Sequence, residues 1–219
     1  MSRRLSILLM LLSTASLQSV TNQWDAEIAR FDRIDAVTPR PPHPVVFVGS
    51  SSFRLWPRLA DSFPAHSVIN RGFGGCHLSD INHHFHRTVG RHQPRLVLVY
   101  AGDNDLADGK SPATVAADFA RFRVLLHTHV PDATAAFVAI KPSPSRTALL
   151  SFQREANQLI ADQIRSDPTW TFLDAATPLL GPDGRPDPAC FVQDQLHLSP
   201  EGYRRWTAVI QPWIDRHDP

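Results

Sequence analysis

Short apolar runs alternate along this chain with longer stretches in which apolar residues recur every third or fourth position. Val45-Val46-Phe47-Val48, Leu96-Val97-Leu98-Val99-Tyr100, Ala135-Ala136-Phe137-Val138-Ala139-Ile140 and Trp170-Thr171-Phe172-Leu173 are runs of the first kind, and Ser67-Val68-Ile69-Asn70 is a weaker fifth. Such continuous runs predict strands covered on both faces, as in a parallel sheet. Between them Val115, Phe119, Phe122 and Leu126 mark one helix face, with Ser111 as N-cap and Pro112 at the first helical position. Phe152, Ala156, Leu159 and Ile164 mark a second face. Tyr203, Trp206, Ile210, Trp213 and Ile214 mark a third, opening at Ser199-Pro200-Glu201. Alternating strands and helices predict an α/β fold with helices on both faces of the sheet.

The N-terminus follows another pattern. Arg3 and Arg4 precede an almost unbroken apolar run from Leu5 to Leu12, followed by Ser13-Thr14-Ala15-Ser16. A bilayer span needs about 20 apolar residues, so residues 1–19 read as an export signal, with an uncleaved N-terminal anchor as the alternative. A secreted or periplasmic location follows. Trp24, Ile28, Phe31 and Ile34 recur at helical spacing, and Pro39-Arg40-Pro41-Pro42-His43-Pro44 forms a stiff linker. Residues 20–44 are therefore expected to pack on the outside of a domain spanning 45–216.

Composition narrows the partners. The 219 residues, 42% of them hydrophobic, suffice for one good core. With 22 Lys+Arg against 21 Asp+Glu, there is no electrostatic case for nucleic acid or an anionic membrane surface. A neutral small molecule fits better. Cys76 and Cys190 make at most one disulfide, and two separate half-buried thiols is the plainer reading. His83, His84 and His86 lie close together, but no carboxylate or cysteine completes a ligand set, so a solvated helix face is expected rather than a metal site.

In parallel sheets reactive groups gather at the carboxyl ends of the strands. The first strand ends in Gly49-Ser50-Ser51-Ser52, a tight turn into a helix that exposes a hydroxyl, though chemistry alone leaves three serines open. Neither G-x-S-x-G nor a phosphate-binding G-x-x-x-x-G-K-[ST] is present. Asn70-Arg71-Gly72-Phe73-Gly74-Gly75-Cys76 is dense enough in glycine to bring backbone N–H groups to a ligand, or is simply a flexible turn. Ala101-Gly102-Asp103-Asn104-Asp105 offers an amide to a developing negative charge, or an Asx turn between Asn104 and its aspartates. Asp194-Gln195-Leu196-His197 places a carboxylate three residues before an imidazole, as either a surface pair or an acid–base dyad.

Together, the four blocks resemble the SGNH hydrolases, the GDSL family of esterases and lipases. In order and spacing they are most similar to the catalytic subunits of platelet-activating-factor acetylhydrolase and to small bacterial acyl-esterases. The resemblance runs from about Val45 to Trp213. It implies a three-layer α/β/α sandwich on a five-stranded, flavodoxin-like parallel sheet. It also implies a serine esterase for short acyl, above all acetyl, esters of carbohydrate or lipid, with no metal or organic cofactor. Gly49-Ser50-Ser51 matches the family's Gly-Asp-Ser, which makes Ser51 the nucleophile. Asp194 and His197 match the terminal Asp-x-x-His, and Gly75 and Asn104 match the family's oxyanion residues beside the Ser51 N–H. The one departure is Ser50, where the family carries aspartate. A binding domain that has lost turnover, or an acyltransferase to an acceptor other than water, would use the same residues. Arg54, Lys141 and Arg146 lie at the same end of the sheet, as candidate substrate contacts or as ordinary surface charges.

Overall fold

The computed structural model describes residues 23–38 and 41–218. The proposed signal, 1–19, lies outside the described residues, as does part of the Pro-rich linker. The chain runs α1 (Asp25–Val37), β1 (Val45–Gly49), α2 (Ser51–Arg54), β2 (Val68–Gly72), α3 (Leu78–His83), α4 (Phe85–Thr88) and β3 (Leu96–Tyr100). It continues through α5 (Asp103–Ala107), α6 (Pro112–His129), β4 (Thr134–Val138), α7 (Leu150–Ile164), β5 (Trp170–Leu173) and α8 (Pro200–His217). The five strands form one sheet in the order β2-β1-β3-β4-β5, parallel throughout. This is the flavodoxin-like arrangement, whose switch point lies between β1 and β3.

The continuous apolar runs are explained by two separate cores. Val46, Val48, Val97, Val99 and Phe137 point into one, with Phe119 and Phe122 of α6 and Ala156 and Ile160 of α7. Val45, Phe47, Leu96, Leu98 and Val138 point into the other, with Phe53 of α2 and Trp206, Ile210 and Ile214 of α8. Strand side chains alternate between faces, so a strand buried on both faces is apolar at every position.

Three expectations change. The edge strand β2 runs on through Arg71-Gly72, which sequence reading gave to a glycine-rich turn. Arg71 is tolerated there because its guanidinium pairs with Asp35 of α1 and lies over the Phe31 ring. The buried face of α7 is Gln153, Ala156, Ile160 and Ile164, whereas Phe152 is 47% exposed. Gln153 turns inward because its amide donates to the buried Asp103 carboxylate at 3.1 Å. Finally, α1 is not peripheral: Ile28 and Phe31 are buried in the first core, and Trp24 meets Phe73 edge-on at 5.8 Å.

Candidate active site

Gly49 ends β1 where a Cβ would lie 2.1 Å from the Tyr100 carbonyl oxygen, so only glycine lets β1 and β3 close here. The next N–H, that of Ser50, donates to that same carbonyl at 3.0 Å. The chain then turns into α2 with Ser50 as its extended N-cap and Ser51 first in the helix, where no i−4 carbonyl claims the Ser51 N–H. Ser50 and Ser52 are buried, but Ser51 is partly exposed, and its Oγ lies 3.1 Å from Nε2 of His197. Geometry thus separates the three serines that local chemistry could not.

Nδ1 of His197 lies 2.6 Å from Oδ2 of Asp194. The other Asp194 oxygen accepts the backbone N–H groups of Leu196 and His197, each at 2.9 Å. Gln195 bridges the pair in the left-handed region, φ 58°. Desolvation works to raise the Asp194 pKa, but the hydrogen bonds from the imidazole and these N–H groups outweigh it and bring the carboxyl down to about 2. A carboxylate held this way fixes the imidazole with Nδ1 protonated and Nε2 free to accept a proton.

Gly75 and Asn104 are brought together by the loops after β2 and β3. Gly75 adopts φ 79°, accessible to glycine at little cost, and the tip of the Trp24 ring covers it. Nδ2 of Asn104 donates to the carbonyl of the adjacent Cys76 at 3.2 Å, and Oδ1 accepts Nη2 of Arg146 at 3.1 Å. The Asx alternative is not what forms. Asp103 instead meets Nη1 of Arg146 at 2.8 Å, Nζ of Lys141 at 3.2 Å and the Gln153 amide. Burial works against its ionisation, yet Lys141 and Arg146 hold the Asp103 carboxyl below its ordinary value. Asp105, fully buried, accepts the Leu78 N–H at 3.2 Å and pairs with Lys110 at 2.9 Å.

Lys141 is neither a surface charge nor a substrate contact. It is 1% exposed, and its ammonium also donates to the Leu196 carbonyl at 2.9 Å, directly before His197. Arg146 is mostly buried between Asp103 and Asn104. Arg54 is about half exposed at the rim, pairs with Glu27 of α1 at 2.6 Å and lies over Gly74. Sequence reading missed the roles of Asp103 and Gln153. The available signal was the Asp103-Asn104-Asp105 triplet facing a lysine and an arginine five residues apart.

The cysteines and the clustered histidines differ in burial. Cys76 and Cys190 are free thiols and fully buried, more so than expected, and burial pushes both thiol pKa values up. His83 and His86 are exposed on two successive short helices, whereas His84 is buried between them. Among the described residues no group of three or more potential ligands could hold a metal ion, and no helix is long and apolar enough to cross a membrane.

A parallel α/β sheet with a hydroxyl, an imidazole and a carboxylate in series at its switch point has the architecture of a hydrolase that works through such a triad. The GDSL-like lipase/acylhydrolase family matches residues 19–205, and the chain belongs to that family, which makes it a carboxylic ester hydrolase. No protein of curated function matches the sequence. Solved structures share the fold at low identity. A protein described as an acylhydrolase, from Bacteroides fragilis, is 22% identical with a TM-score of 0.78, over 90% of this chain and 99% of that one. A GDSL-like lipase from Bacteroides thetaiotaomicron is 22% identical with a TM-score of 0.74, over 87% and 98%. An acetyl-xylooligosaccharide esterase from Geobacillus is 14% identical with a TM-score of 0.61, over 83% and 97%.

Proposed function

We propose that this chain is a serine esterase that removes short acyl groups, acetyl above all, through an acyl-enzyme on Ser51. The observation that carries the reading is the unbroken series Ser51 Oγ–His197 Nε2 at 3.1 Å and His197 Nδ1–Asp194 Oδ2 at 2.6 Å. Ser51 Oγ attacks the ester carbonyl as His197 takes its proton, and Asp194 holds the imidazole tautomer. The Ser51 and Gly75 N–H groups and the Asn104 amide receive the oxyanion. His197 then protonates the departing alcohol. Water, deprotonated by the same nitrogen, releases the acid and restores Ser51.

The preference for acetyl draws support from the resemblance to the acetyl-xylooligosaccharide esterase and from a chain of 219 residues, which leaves little room for a large lid. The alcohol is either carbohydrate or lipid on this reading. Export by residues 1–19 would place the reaction outside the cytoplasm, and sequencing the N-terminus of the exported protein tests that. Hydrolysis of p-nitrophenyl acetate, lost in Ser51→Ala, is the expected result for the enzyme. Stoichiometric fluorophosphonate labelling at Ser51 separates a working nucleophile from an inert binding domain, the alternative suggested by Ser50. Turnover retained in Ser51→Ala would sink the assignment.

A further inference from the structure

We infer that the cavity beside His197 is the subsite for the alcohol half of the ester, and that it takes an uncharged apolar or aryl alcohol rather than a sugar. The inference rests on the esterase reading and deepens it. The cavity measures about 610 Å³ and is lined by Leu55, Trp56, Val192 and Tyr203 together with Asp194 and His197.

Its walls are fastened to the reacting residues. The Leu55 N–H donates to the Ser51 carbonyl at 2.8 Å, and the Val192 N–H to the His197 carbonyl at 2.9 Å. Leu55 and Val192 are 43% and 40% exposed, so both apolar side chains are open to a molecule that enters the cavity.

The direction of the leaving group follows from the two layers. Phe73 and Cys76, flanking Gly75, and Ala101 and Leu106, flanking Asn104, belong to the core on one face of the sheet. Trp56, Leu198 and Tyr203, which line the cavity, belong to the core on the other. In the tetrahedral intermediate the oxyanion turns to the first set. The leaving oxygen must turn to Nε2 of His197, which protonates it. The alcohol it carries therefore enters the space on the His197 side.

The lining fixes the chemistry of that alcohol. The Trp56 N–H donates to Ser62 Oγ at 3.1 Å, and the Tyr203 hydroxyl to the Ser52 carbonyl at 2.9 Å, so neither offers the cavity a free donor. The Thr207 hydroxyl is committed to the Tyr203 carbonyl at 2.9 Å, and the Arg204 guanidinium is neutralised by Glu201 through two contacts of 2.7 Å. Apart from the Asp194 carboxylate, a sugar would find few uncommitted hydrogen-bonding partners here to replace those it gives up to water.

The test is kcat/KM for the acetates of methanol, butanol and hexanol, which all form the same acetyl-enzyme. Each buried methylene should raise kcat/KM by roughly twofold to fourfold, with kcat common wherever deacylation limits it. Leu55→Ser and Val192→Thr change half-exposed side chains and should lower the hexyl-to-methyl ratio by about fivefold or more. The inference is overturned if the gradient lies in the acyl series (methyl acetate, butyrate, hexanoate) and these variants flatten that one. It is equally overturned if an alcohol gradient exists and the variants leave it intact. Absence of turnover together with absence of fluorophosphonate labelling would instead take down the esterase reading, and this inference with it.

Discussion

Arg146 donates from Nη2 to Oδ1 of Asn104 at 3.1 Å, so the amide of Asn104 has one permitted orientation. A guanidinium only donates, so the oxygen must face it and the NH2 group must face the other way. One of those hydrogens goes to the Cys76 carbonyl, and the second is the one the proposed mechanism gives to the oxyanion.

Arg146→Met should therefore misaim an oxyanion donor without removing it. Deleting such a donor costs about a hundredfold to a thousandfold in kcat, so Asn104→Ala should fall in that range and Arg146→Met about ten times less. Arg146→Lys, which lacks the planar fork, should restore little. The loss should appear in kcat more than KM; an effect confined to KM would mean that Arg146 touches substrate instead.

Asp194→Asn keeps the shape of the dyad but offers the imidazole the wrong partner, and kcat should fall by about ten-thousandfold. With its carboxyl at about 2, Asp194 stays ionised across the acid range. Because this pKa is depressed on folding, its stabilising contribution is present above the unfolded value near ~3.9 and fades as pH falls towards 2. A pH–stability profile of wild type against Asp194→Asn should diverge in that window.

Lys141→Met removes a cation that is 1% exposed and leaves Asp103, itself buried, with Arg146 and Gln153. Breaking a buried pair from one side costs about 3–5 kcal/mol, read as a lowered urea midpoint with an unchanged slope. Activity per folded molecule should drop too, because the same ammonium holds the Leu196 carbonyl beside His197.

At the opposite end of the sheet His66 lies between Asp218 at 2.6 Å and Asp215 at 2.8 Å, near the end of α8. Burial works to lower its pKa, but the two carboxylates outweigh it and the net shift is upward. A raised histidine stabilises fully below its unfolded value of about 6.5, and that stability is lost as pH rises through the higher folded value. Tm should fall from pH 6 to pH 9 in wild type, and the slope should flatten in His66→Gln, which should cost about 1–2 kcal/mol at the acid end.

Much of this was legible in the chain. Strands buried on both faces declare themselves by unbroken apolar runs, and Ser111 and Ser199 cap their helices as their positions suggest, accepting N–H groups of Thr114 and Gly202. The Asp194–His197 pair could be read because three residues of separation suffices to build it. What stayed hidden is non-local. Gln153 looks like a surface residue and Phe152 like a core one until Asp103, 50 positions away, turns the helix. Lys141 looked like a surface charge for the same reason, since its partners Asp103 and Leu196 lie on different loops.

The division between the two cores also bears on how such an enzyme changes. The segments that carry Gly75 and Asn104 root in one helical layer, and the cavity beside His197 roots in the other. Ser51, at the start of α2 directly after β1, is common ground. On the proposed assignments, substitutions drifting through one layer retune how charge on the carbonyl is met, and those in the other retune which alcohol departs. Lys141, joining Asp103 to Leu196, is the brace that keeps the two halves in register while either one is rewritten.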